Sequence, residues 1–184
     1  MRGYDLPTSL AVGGIERPIR SDFRAVLDVL AAMNDPLLGE REKSAVMLYI
    51  MYPGLSEIDP RFYTEAAAAA CDFIDCGQRG DGAARPRVFD WEHDAGLIVP
   101  AVNGVAHTEV RALPYLHWWT FWGYFTEIGD CLFSTVLGIR YKRARHKKLE
   151  RWENDFCREN RSIVEMRRGD AAFGAEEAEI LRWL

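Results

Sequence analysis

LPYLHWWTFWGYFTEIGDCLFSTVLGIR, residues 113–140, decides how this chain folds. If Pro114 opens a helix, positions three and four apart share a face. His117, Thr120, Tyr124 and Glu127 then form one polar stripe, and Leu116, Trp118, Trp119, Phe121, Trp122, Phe125 and Ile128 cover the rest. A helix that is apolar over most of its circumference belongs at the centre of a helical domain. Gly129-Asp130 interrupts it, and Leu132, Phe133, Val136, Leu137 and Ile139 continue as a further helix.

Upstream, residues 89–110 (FDWEHDAGLIVPAVNGVAHTEV) gather Asp90, Glu92 and Asp94 ahead of an apolar run. Carboxylates favour the positive end of a helix dipole there, and Pro100 with Gly104 predicts a short or kinked helix. Residues 76–87 (CGQRGDGAARPR) mix glycine, arginine and proline without periodicity, so an exposed hinge loop is expected over about 76–88. Gly80-Asp81-Gly82 within it lacks the Lys-Ser or Lys-Thr of a phosphate loop.

Before the hinge the spacing predicts three helices. The first is capped by Ser21-Asp22, carries Phe23, Val26, Leu27, Leu30 and Met33, and stops at Asn34-Asp35-Pro36. The second runs from Glu40 to Tyr52 with Val46, Tyr49 and Ile50 on one face. The third opens at Asp59-Pro60 and carries Ala66 to Ala70, a narrow face that lets another helix approach closely. Ser9 to Ile19 reads as a hairpin turning at Gly13-Gly14, with Pro18 at an edge. Two strands alone are marginal in water, so the hairpin must dock, and the helices behind it are the platform.

Past Arg140 the chain turns charged. Residues 140–168 read as one long, partly exposed helix in which Trp152 and Phe156 share a face. Lys147 with Glu150, Arg151 with Asp155, and Asp155 with Arg158 stand at helical pair spacing. After Gly169-Asp170 comes an acidic amphipathic piece, AEEAEILRWL, at 175–184. The sum is a mainly α fold: a small helical domain of six to seven helices with a short N-terminal β-hairpin over residues 1–141, and a charged helical extension over 142–184.

The composition agrees with a globular domain: of 184 residues 48% are hydrophobic and 28% charged, which excludes wholesale disorder. The net charge of −5 is unevenly spread. Residues 138–168 hold 11 basic and 5 acidic residues, a local +6 against −11 for the remainder. Such polarity suits self-association or an acidic partner as well as it suits nucleic acid, and a solvated helix face has the same look. Four cysteines without a C-x-x-C point to a reducing compartment. The N-terminus has no signal-peptide run, and the longest apolar stretch, residues 112–126, is fifteen residues, short of the about 20 that span a bilayer. No membrane association is expected.

The chemistry-bearing residues form no catalytic pattern. His93, His107 and His117 fall in no H-E-x-x-H spacing, and no serine lies in a G-x-S-x-G elbow. No catalytic residue, metal or cofactor is therefore expected. Two groups suit binding instead. Tyr115, Trp118, Trp119, Trp122 and Phe125 are core or contact surface, since aromatics dominate both, and one helix of a small domain can hardly bury them all. Arg140, Lys142, Arg143, Arg145, Lys147 and Lys148 place six cations in nine residues and form the candidate basic surface.

These segments, in this order, resemble a known family. A hairpin followed by SDFRAVLDVL, then FDWEHDAGLIVPAV, then LPYLHWWTFWGYFTEI leading to GIR is similar to the small phage proteins called gene product fifteen. Leu116-His117-Trp118-Trp119 with Phe121, Ile139-Arg140, Asp22-Phe23-Arg24 and the acidic run Asp90 to Asp94 carry the likeness, which extends from about Thr8 to Arg145. The chain departs from the family at Thr120 and Trp122, where another charge is usual, and in its ending, which is less lysine-rich.

The resemblance implies a non-catalytic tail assembly chaperone of a phage or prophage. It would work in the host bacterial cytoplasm, holding the tape-measure protein soluble, helping the tail-tube protein polymerise, and possessing the option of homo-oligomerisation. Two other readings stay open: a structural tail or connector component retained in the virion, and a nucleic-acid-binding regulator using residues 140–148, against which the overall charge argues.

Overall fold

The structure is a computed structural model that describes residues 4–77 and 86–166. Most of the expected hinge, including Gly80-Asp81-Gly82, and the acidic piece at 175–184 lie outside the described residues. The described chain is mainly α, with one antiparallel hairpin and eight α-helices, and divides into two compact units. The first unit comprises residues 4–77 and 114–122, and the second 86–113 and 123–166.

The first unit opens with the hairpin, β1 (Ser9–Val12) and β2 (Ile15–Pro18), paired from Ser9↔Pro18 to Val12↔Ile15. Its two-residue turn needs positive φ at both positions, and Gly13 (+59°) and Gly14 (+77°) supply it. Gly13 also lies flat on the Phe62 ring, which a Cβ would meet at 2.9 Å, and its N–H donates to Glu65 Oε1 at 2.9 Å. The hairpin is thereby seated on the helix that begins at residue 63.

Helix α1 (Phe23–Met33) starts at Asp22, whose carboxylate accepts the Arg24 N–H at 3.0 Å, and buries Phe23, Val26 and Val29. It ends at Asn34, ahead of Pro36 as expected. Helix α2 (Glu40–Met51) is present, but Tyr49 is exposed and the buried face is Lys43, Met47, Leu48 and Met51. The charged Lys43 hid this face from a hydrophobic reading: its stem lies along the core while its ammonium reaches Glu40 at 3.6 Å. Asp59 caps a 3-10 turn, Pro60–Phe62, and α3 (Tyr63–Ile74) follows. Ala66 and Ala70 are fully buried; the Tyr52 hydroxyl at the end of α2 donates to Ala66 O at 2.8 Å, and Cys71 Sγ meets Met47 Sδ at 3.8 Å. The alanine face thus receives α2.

The second unit contains α4 (Ala95–Ala106), which continues through Pro100 without a break. The carbonyl that Pro100 leaves without a donor belongs to Gly96, and both residues are exposed to water. Helix α5 (Trp118–Thr126) begins four residues after Pro114, and its chain passes from the first unit to the second after Trp122. Helix α6 (Leu132–Ala144) opens at Cys131, where Cys131 N–H donates to Ser134 Oγ at 2.9 Å.

The long helix expected over 140–168 is three pieces: the end of α6, α7 (Arg151–Glu159) and α8 (Arg161–Val164). His146 at φ +53° stops α6, and Lys147 N–H turns back to Lys142 O at 2.8 Å, a closure that usually takes glycine. Ile139, Cys157 and Val164 then bury together, with Leu149, Phe156 and Ile163 packed against them. The charged residues beyond 142 therefore fold back onto α6.

Candidate functional site

In the first unit the polar groups around the tryptophan pair form a closed set. Asp22 Oδ1 caps α1, and its Oδ2 accepts the Leu116 N–H at 2.9 Å. Phe23 N–H donates to Leu116 O at 2.9 Å and Trp118 N–H to Ser21 O at 2.8 Å, so residues 116–118 are stitched to the start of α1. Ser21 Oγ and the Tyr115 hydroxyl share a hydrogen bond of 2.8 Å. His117 Nδ1 accepts the Trp119 N–H at 3.1 Å, which leaves Nε2 as the donor to Pro7 O at 2.9 Å.

The two indoles finish α3. Trp118 Nε1 donates to Ile74 O at 2.7 Å, and Trp119 Nε1 to Phe73 O at 2.8 Å, a carbonyl that also accepts the Cys76 N–H at 3.0 Å. Trp118 is only 1% exposed, so it is core and not contact surface. Trp119 lies half-buried along Phe73, and Trp122 is half-buried against Trp118. Tyr115, 50% exposed, is the most open of the predicted aromatics. Burial pushes the Tyr52 hydroxyl and the Cys71 and Cys76 thiols up to about 12, with nearby Asp75 adding to the effect on both thiols.

In the second unit Phe125 is half-buried among Phe89, Trp91 and Phe133, with ring centroids at 5.4, 4.7 and 5.8 Å. Arg140, expected on the basic surface, is instead 5% exposed and tied to Asp94: Nη1 donates to Oδ2 at 2.6 Å and Nη2 to Oδ1 at 3.0 Å. Its remaining N–H groups reach Val88 O (3.1 Å), Val164 O (2.9 Å) and Ile163 O (2.8 Å), so all five guanidinium donors are used. Asp94 also accepts the Asp90 N–H at 2.9 Å, and Arg87 pairs with Asp90. Desolvation removes Arg140 from any surface role and makes it the tie between α4, α6 and α8.

Lys142 donates to Glu153 Oε1 at 2.7 Å, and Glu153 Oε2 accepts the Glu150 N–H at 2.7 Å, which holds that carboxyl below the usual range. Arg143, Arg145, Lys147 and Lys148 are exposed and, among the described residues, form no ion pair. Arg145 and Lys147 lean over the Tyr141 ring at 5.2 and 5.9 Å. Arg151 and Trp152, outside the predicted basic run, extend this corner, and Trp152 is 57% exposed, in keeping with the partly exposed helix expected there. Beside them an open cleft of about 530 Å³ is lined by residues including Lys148, Arg151, Asp155 and Arg158.

Among the described residues no group of three or more His, Cys, Asp or Glu stands ready to hold a metal ion, and no helix is long and apolar enough to cross a membrane. The residues whose order carries the family resemblance are those that meet in space: Asp22 and Phe23 with Leu116 to Trp118 in one unit, Asp94 with Arg140 in the other. No curated protein and no solved structure matches the chain. A family model described as "Bacteriophage Gp15 protein" matches residues 4–166, a span that takes in both hydrogen-bonded centres, and the chain belongs to that family.

Proposed function

We propose that this protein is a non-catalytic tail assembly chaperone that binds the tape-measure protein, the tail-tube protein, or both during tail morphogenesis in the host cytoplasm. Membership in a bacteriophage protein family over residues 4–166 is the observation that carries the reading. The surface is consistent with it. Tyr115 stands half-exposed beside α5, with Trp119 and Trp122 half-buried, a set of rigid aromatics able to receive the apolar face of a partner helix.

The test is co-expression with the neighbouring tape-measure and tail-tube proteins, followed by size-exclusion with light scattering and a search for this protein in finished virions. A soluble complex with a protein absent from virions is the expected result. No complex, with the protein present in virions, would replace the chaperone with a structural tail component. Capture is expected to weaken about tenfold in Tyr115→Ala combined with Trp122→Ala, as for anchors at the centre of an interface. Trp118→Ala is the wrong probe, because that side chain holds the fold.

A further inference from the structure

Five cations, Arg143, Arg145, Lys147, Lys148 and Arg151, stand exposed at the corner where α6 gives way to α7, and none has an ion pair among the described residues. Between residues 143 and 151 only Glu150 is acidic. The exposed indole of Trp152 follows Arg151 on the chain, so the corner offers apolar area beside its charge. Like charges held this close repel one another, and an anionic surface brought against them removes that repulsion.

The chain itself carries such a surface. Residues 4–77 hold 12 acidic and 6 basic residues, and from Tyr63 to Gly77 there are three carboxylates and no cation. Glu65, Ala68, Asp72 and Asp75 recur at helical spacing along α3, the first three exposed and Asp75 half-buried. Asp72 and Asp75 stand at the C-terminal end of the helix, where the dipole is already negative, and their side chains form no ion pair among the described residues. Burial and the neighbouring Asp72 raise the Asp75 carboxyl above its usual range. A cation brought to this end relieves both effects. We propose that the basic corner of one copy of this protein docks on the acidic end of α3 in a second copy. Each copy carries both surfaces, so a pair closes reciprocally or further copies add head to tail, and either gives a mass above monomer. This proposal stands independently of the chaperone reading.

Sedimentation velocity of the full chain over about 1 to 100 μM tests it. Wild type is expected to exceed the monomer mass at about 50 mM salt and to return to it at about 0.5 M, where screening shortens to about 4 Å. Arg143→Glu/Lys147→Glu/Lys148→Glu and Asp72→Lys/Asp75→Lys are each expected to associate about tenfold more weakly. An equimolar mixture of the two variants regains the wild-type mass, because each then meets its opposite charge on the other. Destabilisation does not produce that recovery. Glu65 is left intact because it seats the hairpin, and lysine suits the C-terminal end of a helix. A mixture that stays monomeric overturns the proposal, as does wild-type association that survives about 0.5 M salt. A wild type that is monomeric throughout also overturns it, and one that gains mass only when a single-stranded oligonucleotide is added does so in favour of nucleic acid.

Discussion

Arg140 on α6 and Asp94 at the mouth of α4 face each other as a buried bidentate pair, 2.6 and 3.0 Å apart, although they stand 46 positions apart in the chain. Every other donor of the guanidinium ends on a backbone carbonyl, two of them from the segment that follows α7. The pair therefore determines how residues 160–166 close over the second unit.

Breaking it from either side leaves an uncompensated buried charge. Arg140→Ala and Asp94→Ala are each expected to lose about 3–5 kcal/mol in urea unfolding. The double variant is expected to lose clearly less than the two single losses combined, a coupling that a double-mutant cycle reads directly. Additive losses would show that the two side chains act separately.

Asp22 serves two backbone donors with its two oxygens, the Arg24 N–H and the Leu116 N–H. Asp22→Ala removes the cap of α1, worth about 1 kcal/mol, and strands the Leu116 donor, which costs about 1–3 kcal/mol more. Asp22→Asn keeps one acceptor and is expected to cost about half as much. Chemical denaturation of the three proteins under one condition makes the comparison.

The predicted aromatics differ in role, and their substitutions separate accordingly. Trp118→Ala is expected to cost about 3–5 kcal/mol, because a buried indole leaves both a cavity and an open Ile74 carbonyl. Trp119→Phe keeps the ring on Phe73 and loses one hydrogen bond, about 1 kcal/mol. Tyr115→Ala is expected to fall below that, since the ring is half in solvent. Thermal melts ranked in any other order would contradict the burial described here.

Alkaline pH is expected to weaken the first unit. The Cys71 and Cys76 thiols rise from 9.0 to about 12, and the Tyr52 hydroxyl from 10.0 to about 12. Each group holds its proton more tightly folded than unfolded, so its contribution is intact below about pH 9 and declines as pH climbs toward 12. The loss is at most about 1 kcal/mol per pH unit for each group within its own window, which opens near pH 9 for the thiols and near pH 10 for Tyr52, and is smaller for the partly exposed Cys76. Urea midpoints between pH 7 and pH 11 give the slope, and Tyr52→Phe is expected to flatten it. Alkylation at pH 8 gives an independent check: native Cys71 is expected to react about 100-fold more slowly than in urea, because the thiolate is the nucleophile.

How much was legible in the sequence follows from how local each signal is. The hairpin was readable because Gly13-Gly14 alone meets the φ demand of its turn. The start of α1 was readable because Asp22 reaches only two residues along the chain. The buried face of α2 was not, since its Lys43 looks polar in a sequence and packs by its stem. The break at His146 was not either: a non-glycine residue in the left-handed region carries no local mark, and the packing of α7 and α8 onto Ile139 accompanies it.

The same division runs through the candidate site. The spacing of residues 113–140 was enough to establish by itself that a strongly aromatic helix belongs to a mainly α fold, and that the cations cluster after it, because helix periodicity and charge are properties of neighbours. Which aromatic is core, which cation is buried, and where Asp22 and Asp94 find their partners was decided only by the tertiary structure. Burial and hydrogen-bond satisfaction depend on groups up to 110 positions away, and no local pattern encodes their arrival.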